Sequence, residues 1–236
     1  MSLPSILILG STGLCGSNFL RLISEKSSEF EKIITLSRRK PEINNEINKQ
    51  VSNILESNTD NWPDEFAKLD LPENGDGIFF SGFGTTRKAA GSAENFKKID
   101  YGINYDCAKA AKESNKFKTL VLVSTVSANK DSSFLYLQSK GKLEQDIIDL
   151  KFDRTIILRP GPLLGHREKS KGFGDGFINK FGGFFKDSMF AGLLYHPITS
   201  EDVAKCAYYL AKQPITKENK LVIIESADMI KTAKLV

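Results

Sequence analysis

The chain has 236 residues, 40% of them apolar, which is enough for one sizeable core with an appended lobe and too few for two large domains. Its 33 basic and 29 acidic residues leave a small net charge of +4 and are spread along the chain, so we expect no nucleic acid partner. Three widely spaced cysteines indicate reduced thiols, and two histidines are too few for a histidine-rich metal site, so no metal is expected.

The sequence also argues against a membrane-spanning or secreted protein. No run approaches the roughly 20 apolar residues that a spanning helix needs. The N-terminus lacks a basic region followed by a long apolar stretch, and it is not rich in arginine and serine. We therefore expect neither a secretory signal nor a matrix presequence, and a soluble protein inside the cell.

Seven short apolar runs predict β-strands. Most are continuous rather than alternating, as expected of strands that helices cover on both faces. Helix-length stretches lie between them, notably 13–26, 93–116 and 132–150. This alternation predicts an α/β fold with a doubly wound, Rossmann-like parallel sheet formed by residues 1–236 as one domain. The predicted strands are Ser5–Leu9, Lys32–Leu36, Val51–Leu55, Gly77–Phe80, Thr119–Val123, Arg154–Leu158 and Lys220–Ile224.

A glycine-rich segment, GSTGLCG at residues 10–16, follows the first predicted strand and opens the first predicted helix. Gly10 permits a tight turn, Gly13 lets the backbone approach a pyrophosphate, and Gly16 lets the helix pack closely on the sheet. The N–H groups and the positive dipole at the helix start form an anion site. The position of the three glycines therefore predicts dinucleotide binding.

The end of the second predicted strand indicates which dinucleotide binds. It reads Leu36-Ser37-Arg38-Arg39-Lys40 and lacks the acidic residue that binds the ribose 2′-hydroxyl of NAD. A hydroxyl followed by two guanidinium groups is suited to a 2′-phosphate, so the sequence favours NADP(H). The alternative is a solvated basic loop.

Three Tyr-x-x-x-Lys pairs are candidates for a dehydrogenase site, and their placement separates them. Tyr136/Lys140 lies on the predicted helix after the fifth strand, which ends in the hydroxyl pair Ser124-Thr125. Leu143 and Ile147 share the face of that helix, so the tyrosine and lysine point toward the sheet. Asp131 or Ser132 is expected to cap the helix start. The other two pairs, Tyr105/Lys109 and Tyr208/Lys212, lack a hydroxyl-bearing strand end and are interpreted as structural.

The chemistry expected of this pair is proton transfer to a carbonyl oxygen. A phenol has a pKa of about 10, and a lysine ammonium one turn away is expected to move that pKa toward the working range. Tyr136 would exchange a proton with the substrate oxygen, and Thr125 or Ser124 would hydrogen-bond the same oxygen. Lys140 would also hold the nicotinamide ribose.

Residues 165–197 interrupt the strand–helix alternation and are rich in phenylalanine and glycine. We interpret them as a small C-terminal substrate lobe, because insertions beyond the carboxyl ends of strands border the ligand crevice. Lysines also alternate with the aromatic residues over 169–194, so a second interpretation is peripheral contact with an anionic membrane surface.

Several motifs resemble the short-chain dehydrogenase/reductase superfamily in its atypical branch: GSTGLCG, TLVLVSTVSA, the Tyr136/Lys140 pair, and Arg159-Pro160-Gly161. The segments SSFLYLQSKG, KFDRTIILRPGPLLG and FGTTRKAAG are similar to the Tat-interacting-protein-like reductases of animals. They are more similar still to their fungal relatives, a family attached to the mitochondrial outer membrane. The resemblance extends from Ile6 to about Glu225.

The resemblance implies an NADP(H)-binding Rossmann fold with a Ser/Thr–Tyr–Lys site. Its usual catalytic serine corresponds to Thr125, which leaves Ser124 and Thr125 as alternatives. His196-Pro197-Ile198 resembles the return beside the substrate lobe, and Asn104 resembles a helix asparagine interpreted as structural. By position, Gly10, Ser11, Thr12, Gly13, Leu14 and Gly16 form the phosphate loop, Ser37, Arg38 and Arg39 contact the 2′-phosphate, and Gly82 and Thr85 flank the cofactor.

Two functions follow as hypotheses. The first is an NADP(H)-dependent oxidoreductase that reduces a small carbonyl substrate. The second, implied by the resemblance, is an NADPH-responsive binding protein with little turnover that acts through a protein partner. The resemblance places either one peripherally on the cytosolic face of the mitochondrial outer membrane, whereas the residues alone indicate only the cytoplasm.

Overall fold

The computed structural model describes residues 3–42, 51–73, 75–164 and 196–236. Its centre is a parallel sheet of seven strands in the order β3-β2-β1-β4-β5-β6-β9, with every neighbouring pair parallel. This order confirms the predicted doubly wound, Rossmann-like fold. The strands are β1 Ile6–Leu9, β2 Ile33–Ser37, β3 Val51–Leu55, β4 Gly77–Ser81, β5 Phe117–Val123, β6 Arg154–Arg159 and β9 Leu221–Glu225; a separate parallel pair is β7 Leu163–Leu164 with β8 Ile198–Thr199.

Helices cover both faces of this sheet. α1, α7 and α8 lie on one face, and α2, α5 and α6 lie on the other. A π-helical turn at Lys98–Gly102 joins α4 directly to α5. The helices among the described residues are α1 Leu14–Glu25, α2 Trp62–Lys68, α3 Arg87–Ala90, α4 Ala93–Lys97, α5 Ile103–Glu113, α6 Leu135–Asp149, α7 Ser200–Lys212 and α8 Ser226–Ala233.

Alternate residues of β1 pack into two different hydrophobic cores, one on each face of the sheet. Ile6 and Ile8 of β1 point into the core under α1 and α7, where Phe19 stacks on Phe80 with ring centroids 4.0 Å apart. Leu7 points into the opposite core under α2 and α5. Because both faces are buried, the strand is apolar at every position, which explains the continuous rather than alternating pattern.

Two buried cationic side chains donate hydrogen bonds to carbonyl groups at the ends of helices. Lys116 Nζ donates to the main-chain oxygens of Ala67 and Leu69, both at 2.8 Å, just where α2 ends. Arg154, at the start of β6, donates to the main-chain oxygens of Ala211 and Gln213 at the end of α7. Carbonyl groups in the last turn lack helical partners and carry partial negative charge, so each cation stabilises its helix end and ties it to a strand.

Two predicted helix details are wrong. The predicted helix 93–116 is interrupted by the π-helical turn and ends at Glu113, because Asn115 adopts φ 58° and turns the chain toward β5. Neither Asp131 nor Ser132 caps α6. Its N-cap residue is Phe134, whose side chain has no atom that can accept a capping hydrogen bond. The Ser132 hydroxyl instead accepts the N–H of Phe134 within the preceding turn, so the helix begins later.

The topology brings the predicted site to one edge of the sheet. β1 and β4 are neighbours whose connections lead to opposite sides, and such a switch point opens a crevice at the carboxyl ends of the strands. Apart from His196 and Pro197, the predicted lobe 165–197 lies outside the described residues, as does the membrane-contact stretch 169–194. Within the described part of the chain, no helix is long and apolar enough to span a bilayer.

Candidate active site

The glycine turn after β1 is required by the packing of the chain itself at two positions. Gly10 has φ +84°, and a Cβ there would lie 2.6 Å from the main-chain nitrogen of Phe83. A Cβ on Gly16 would lie 2.1 Å from the carbonyl oxygen of Gly10. Neither gap admits a side chain, so these two glycines let α1 sit directly against the end of β1.

Gly13 is different, because the packing of the chain only weakly favours glycine over a residue with a side chain at this position. Its φ of −89° and ψ of 170° are open to any residue, and an added Cβ would come no closer than 3.2 Å, to the Gly10 oxygen. α1 starts at Leu14 without a capping side chain or an acidic residue in its first turn, and the Ser11 hydroxyl is buried without a hydrogen-bond partner among the described residues. Ser11, Thr12 and the open amide end of α1 therefore fit the pyrophosphate of a dinucleotide.

The basic segment after β2 presents two arginines to solvent. Ser37 is buried, and its hydroxyl donates to the main-chain oxygen of Arg39 at 2.7 Å. This bond folds the turn on which Arg38 and Arg39 stand exposed. Ser37 thus shapes the turn, and the two guanidinium groups are available to an anion.

The segment after β4 crosses the top of the glycine turn. The Gly82 N–H donates to the Leu9 oxygen at 3.0 Å, which extends the pairing of β1 and β4. The Thr85 N–H donates to Asp100 Oδ2 at 2.8 Å. Gly82 and Thr85 therefore lie beside the glycine turn, with the amide of Thr85 bound by a carboxylate.

The predicted proton-transfer residues meet at the carboxyl end of β5. Lys140 is buried on α6, Tyr136 is partly buried one turn before it, and Thr125 is close enough to the Tyr136 phenol to lower its pKa. The Ser124 hydroxyl is buried and has no hydrogen-bond partner within the described part of the chain. The structure thus brings Thr125, rather than Ser124, to the phenol.

The expected effect of Lys140 on the phenol is outweighed. Burial raises the pKa of Tyr136 above its ordinary value, and the lowering by Lys140 and Thr125 is smaller. Lys140 Nζ lies 3.1 Å from Asp100 Oδ1, so its charge is largely compensated before it reaches the phenol. The charge of Lys140 thus acts on the pKa of Tyr136 in the predicted, lowering direction, but burial outweighs it and the net pKa is raised.

Asp100 is the main residue of the site that the sequence analysis missed. It lies in the π-helical turn with a side chain that is 2% exposed. Asn104 holds that turn, because its Nδ2 donates to the main-chain oxygens of Ile99, Asp100 and Phe83. Asn104 is thus structural. The break in helical hydrogen bonding that creates the turn has no sequence signature of the kind that marks the glycine turn.

A second missed pair orients α6. Arg159, at the end of β6, forms a forked hydrogen bond with the buried carboxylate of Glu144, with Nη2 2.6 Å from Oε2 and Nε 3.1 Å from Oε1. Glu144 lies one turn after Lys140. This ion pair fixes the rotation of α6 against the sheet, and with it the direction in which Tyr136 points.

The other two tyrosine–lysine pairs lie away from the carboxyl end of β5. Tyr208 and Lys212 of α7 both contact Glu29, at 2.7 Å and 3.3 Å. Tyr105 stacks on Tyr101, on the face where α5 packs against α6.

Comparison with known proteins finds fungal relatives that are named mitochondrial. The HIM1 family model matches residues 30–189. The chain belongs to the HIM1 family. It is 48% identical over 221 residues to "Protein FMP52, mitochondrial" of Debaryomyces hansenii, which covers 93% of this chain and 92% of the relative. The corresponding FMP52 protein of Candida albicans is 45% identical over 231 residues, with 97% and 98% covered.

Solved structures share the fold at low sequence identity. The Bordetella bronchiseptica enzyme WbmF, in complex with NAD+, matches with a TM-score of 0.65 and 12% identity, over 99% of this chain and 78% of that one. A UDP-glucose 4-epimerase of Thermotoga maritima matches at 0.63 and 13%, over 93% and 76%. The terminal R domain of the myxalamid pathway matches at 0.65 and 17%, over 96% and 66%. These likenesses agree with the expected Rossmann-like fold and say nothing about substrate.

Proposed function

We propose that this protein is an NADP(H)-dependent oxidoreductase that reduces a carbonyl compound, with Thr125, Tyr136 and Lys140 as its catalytic residues. One observation carries the proposal: a hydroxyl, a phenol and an ammonium group meet at the carboxyl end of β5, beside the glycine turn. Cys15 of that turn is close enough to Tyr136 to influence its pKa. The proton donor and the pyrophosphate site therefore border one crevice.

The residues present suit a nicotinamide dinucleotide. Ser11, Thr12 and the amino end of α1 would hold the pyrophosphate, and Arg38 and Arg39 would hold a 2′-phosphate. The structural relative WbmF was solved with NAD+, whereas the two exposed arginines here favour the phosphorylated form. When bound, the reduced nicotinamide supplies the hydride that a carbonyl reduction needs.

The side chains of this protein handle the proton. Tyr136 Oη, protonated at neutral pH, would donate its proton to the carbonyl oxygen, while the Thr125 hydroxyl hydrogen-bonds the same oxygen. Lys140 favours the phenolate that remains, because its charge lowers the pKa of Tyr136. Tyr136 would therefore keep its proton until hydride transfer makes the carbonyl oxygen basic, and would then donate it to that oxygen.

We expect NADPH to bind the purified protein with a stoichiometry of one per chain, as measured by isothermal titration calorimetry. A panel of aldehydes, ketones and quinones, followed by NADPH absorbance, is expected to contain compounds that are reduced. NADH is the matched control for the 2′-phosphate. An absence of binding heat with both reduced coenzymes would contradict the proposal.

Cofactor preference is expected to depend on the exposed arginines. Replacing Arg38 and Arg39 with alanine should raise the Kd for NADPH roughly 10- to 100-fold, because a charge-assisted hydrogen bond contributes about 1.5–3 kcal/mol. The Kd for NADH should change little, since NADH lacks the 2′-phosphate. Arg21→Ala serves as the control, because Arg21 is an exposed arginine of α1 paired with Glu201. Equal losses for the two coenzymes would refute the assignment.

A second candidate function is a binding protein whose partner contact depends on NADPH and whose turnover is low. It is favoured by the contact of Lys140 with Asp100, which satisfies the ammonium group within the protein itself. NADPH binding without reduction of any panel compound would support this candidate over the first. Because the FMP52 relatives are named mitochondrial, we propose that the protein acts at mitochondria, peripherally on the outer membrane.

A further inference from the structure

We propose that Asp100 is a positioning residue of this site: its buried carboxylate holds the Lys140 ammonium and keeps the Tyr136–Lys140 pair fully protonated, so that the site donates a proton rather than accepts one. This proposal adds a residue to the site of the proposed function. It rests on that function only for the statement that the proton is donated to a substrate. The position of the Asp100 carboxylate beside Lys140 follows from the geometry of the described residues alone.

Both oxygens of Asp100 are occupied by groups from different parts of the fold. Oδ1 lies 3.1 Å from Lys140 Nζ on α6, and Oδ2 accepts the Thr85 N–H at 2.8 Å. The side chains of Asp100 and Lys140 are 2% and 5% exposed. The Lys140 ammonium and the Thr85 N–H hold the buried carboxylate in one orientation. Its negative charge therefore acts on Lys140 from a fixed distance.

The surrounding chain is built to admit this contact. Asn104 anchors the π-helical turn that carries Asp100, and it is itself fixed by the Ser81 hydroxyl at the end of β4, 2.6 Å from Asn104 Oδ1. A Cβ on Gly84 would lie 3.1 Å from Asp100 Oδ1 and 3.6 Å from Lys140 Nζ. Glycine at this position leaves space for the carboxylate and the ammonium group to meet.

The groups with the largest effects on the pair lie on three elements of the described chain. Tyr136 is influenced by Lys140 of the same helix, by Asp100 and by Cys15 of α1. Lys140 is influenced by Asp100, Tyr136 and Glu144. Burial raises the pKa of Cys15 to about 12, so its thiol stays neutral, and the Glu144 carboxylate is bound by Arg159. Asp100 is therefore the carboxylate whose charge reaches both members of the pair.

The negative charge of Asp100 shifts the pKa of Lys140 and the pKa of Tyr136 in the same direction. Burial lowers the pKa of Lys140, and the Asp100 carboxylate is the largest of the contributions that raise it above its ordinary value; the Asp100 charge also raises the pKa of Tyr136. Reduction needs the phenol protonated and the ammonium charged, so the first proton lost by the pair sets the alkaline limit of activity. Removing the Asp100 charge lowers that limit, whichever of the two groups loses its proton first.

The test is a pH titration of cofactor-free protein labelled with ¹³C at tyrosine Cζ and followed by NMR. The signal of Tyr136 is the one that Tyr136→Phe removes, and it responds both to its own proton and to that of Lys140. In Asp100→Asn the first titration step of this signal is expected at a pH roughly 1 to 3 units lower than in wild type. Asp100→Glu, which keeps the charge, should restore most of the shift.

Asp146→Asn is the matched control. Asp146 lies on the same helix as Lys140 and accepts the Tyr101 hydroxyl, so the variant also removes one hydrogen-bonded carboxylate from the packing of α6. It should leave the Tyr136 titration unchanged. An unchanged first step in folded Asp100→Asn, or an equal shift in Asp146→Asn, would overturn the proposal.

Wild-type protein alone keeps the proposal testable if Asp100→Asn fails to fold. Its Tyr136 signal is expected to titrate at a higher pH than that of a free tyrosine, and titration at the same or a lower pH would overturn the proposal. With a panel substrate, kcat of Asp100→Asn should fall about tenfold per pH unit above its lowered limit, with wild-type KM. The titration needs neither cofactor nor substrate, so its failure is separable from a failure of the proposed function.

Discussion

Replacing Tyr136 with phenylalanine is expected to lower kcat for NADPH-dependent carbonyl reduction by about 10²- to 10⁴-fold, the usual contribution of a positioned proton donor. The ring still fills its place beside Phe96, whose centroid lies 6.0 Å away, so packing is retained. The cost to stability is expected to be about 1 kcal/mol, from the lost polar interaction of the phenol with Thr125. Steady-state kinetics on a substrate from the panel, with thermal unfolding in parallel, measures both.

Two measurements separate a catalytic role of Tyr136 from a structural one. The Kd for NADPH should stay within about threefold of wild type, because the phenol does not lie among the pyrophosphate or 2′-phosphate groups. Tyr105→Phe is the matched control: it removes a phenol from another Tyr-x-x-x-Lys pair, on α5, and should leave kcat unchanged. Normal turnover by the Tyr136 variant, or a comparable loss in the Tyr105 variant, would contradict the assigned role.

The glycine turn yields the second large effect, as a contrast between two alanine substitutions. Gly16→Ala should destabilise the fold by more than about 3 kcal/mol, because its Cβ would lie 2.1 Å from the backbone oxygen of Gly10, which cannot move aside. Gly13→Ala should cost only about 1 kcal/mol, the usual difference between glycine and alanine at a helix N-cap. It should nevertheless weaken NADPH binding at least tenfold, because the methyl group would occupy the approach to the pyrophosphate.

Thermal unfolding and calorimetry on the same two proteins distinguish the causes. A large fall in Tm is expected for Gly16→Ala, and a large loss of NADPH affinity with a nearly normal Tm for Gly13→Ala. Gly91→Ala is the control for substitution of a surface glycine: an added Cβ there meets nothing within 4 Å, although its φ of +78° makes a modest loss of stability expected. Unchanged NADPH affinity in Gly13→Ala would refute the pyrophosphate site.

Local patterns in the sequence were sufficient to predict most of the fold. Short apolar runs locate the seven strands of the main sheet to within about two residues, and the inner strands are nearly continuous in apolar residues because both of their faces are buried. The alternation with helices then leaves few possible topologies. The face of α6 was predictable for the same reason, since Leu143 and Ile147 are buried at helical spacing with Lys140.

The start of α6 and the break before α5 were not predictable in this way. Several hydroxyl and carboxylate side chains precede α6, and each is an acceptable cap when taken alone. Contacts within the turn decided the outcome, because the Ser132 hydroxyl accepts an N–H there rather than at the helix start. Similarly, the π-helical turn depends on Asn104 reaching the main-chain oxygen of Phe83 in another element.

The sequence by itself determined the sheet, the glycine turn, the basic turn after β2 and the helix that carries Tyr136 and Lys140, because each depends on neighbouring residues. Tertiary structure alone decided the partners of these groups: Asp100 for Lys140, Thr125 for Tyr136, and Arg159 for Glu144. These pairs join residues from separate elements. Whether they meet depends on how α5 and α6 are rotated and shifted against the sheet, which is set by the packing of both cores.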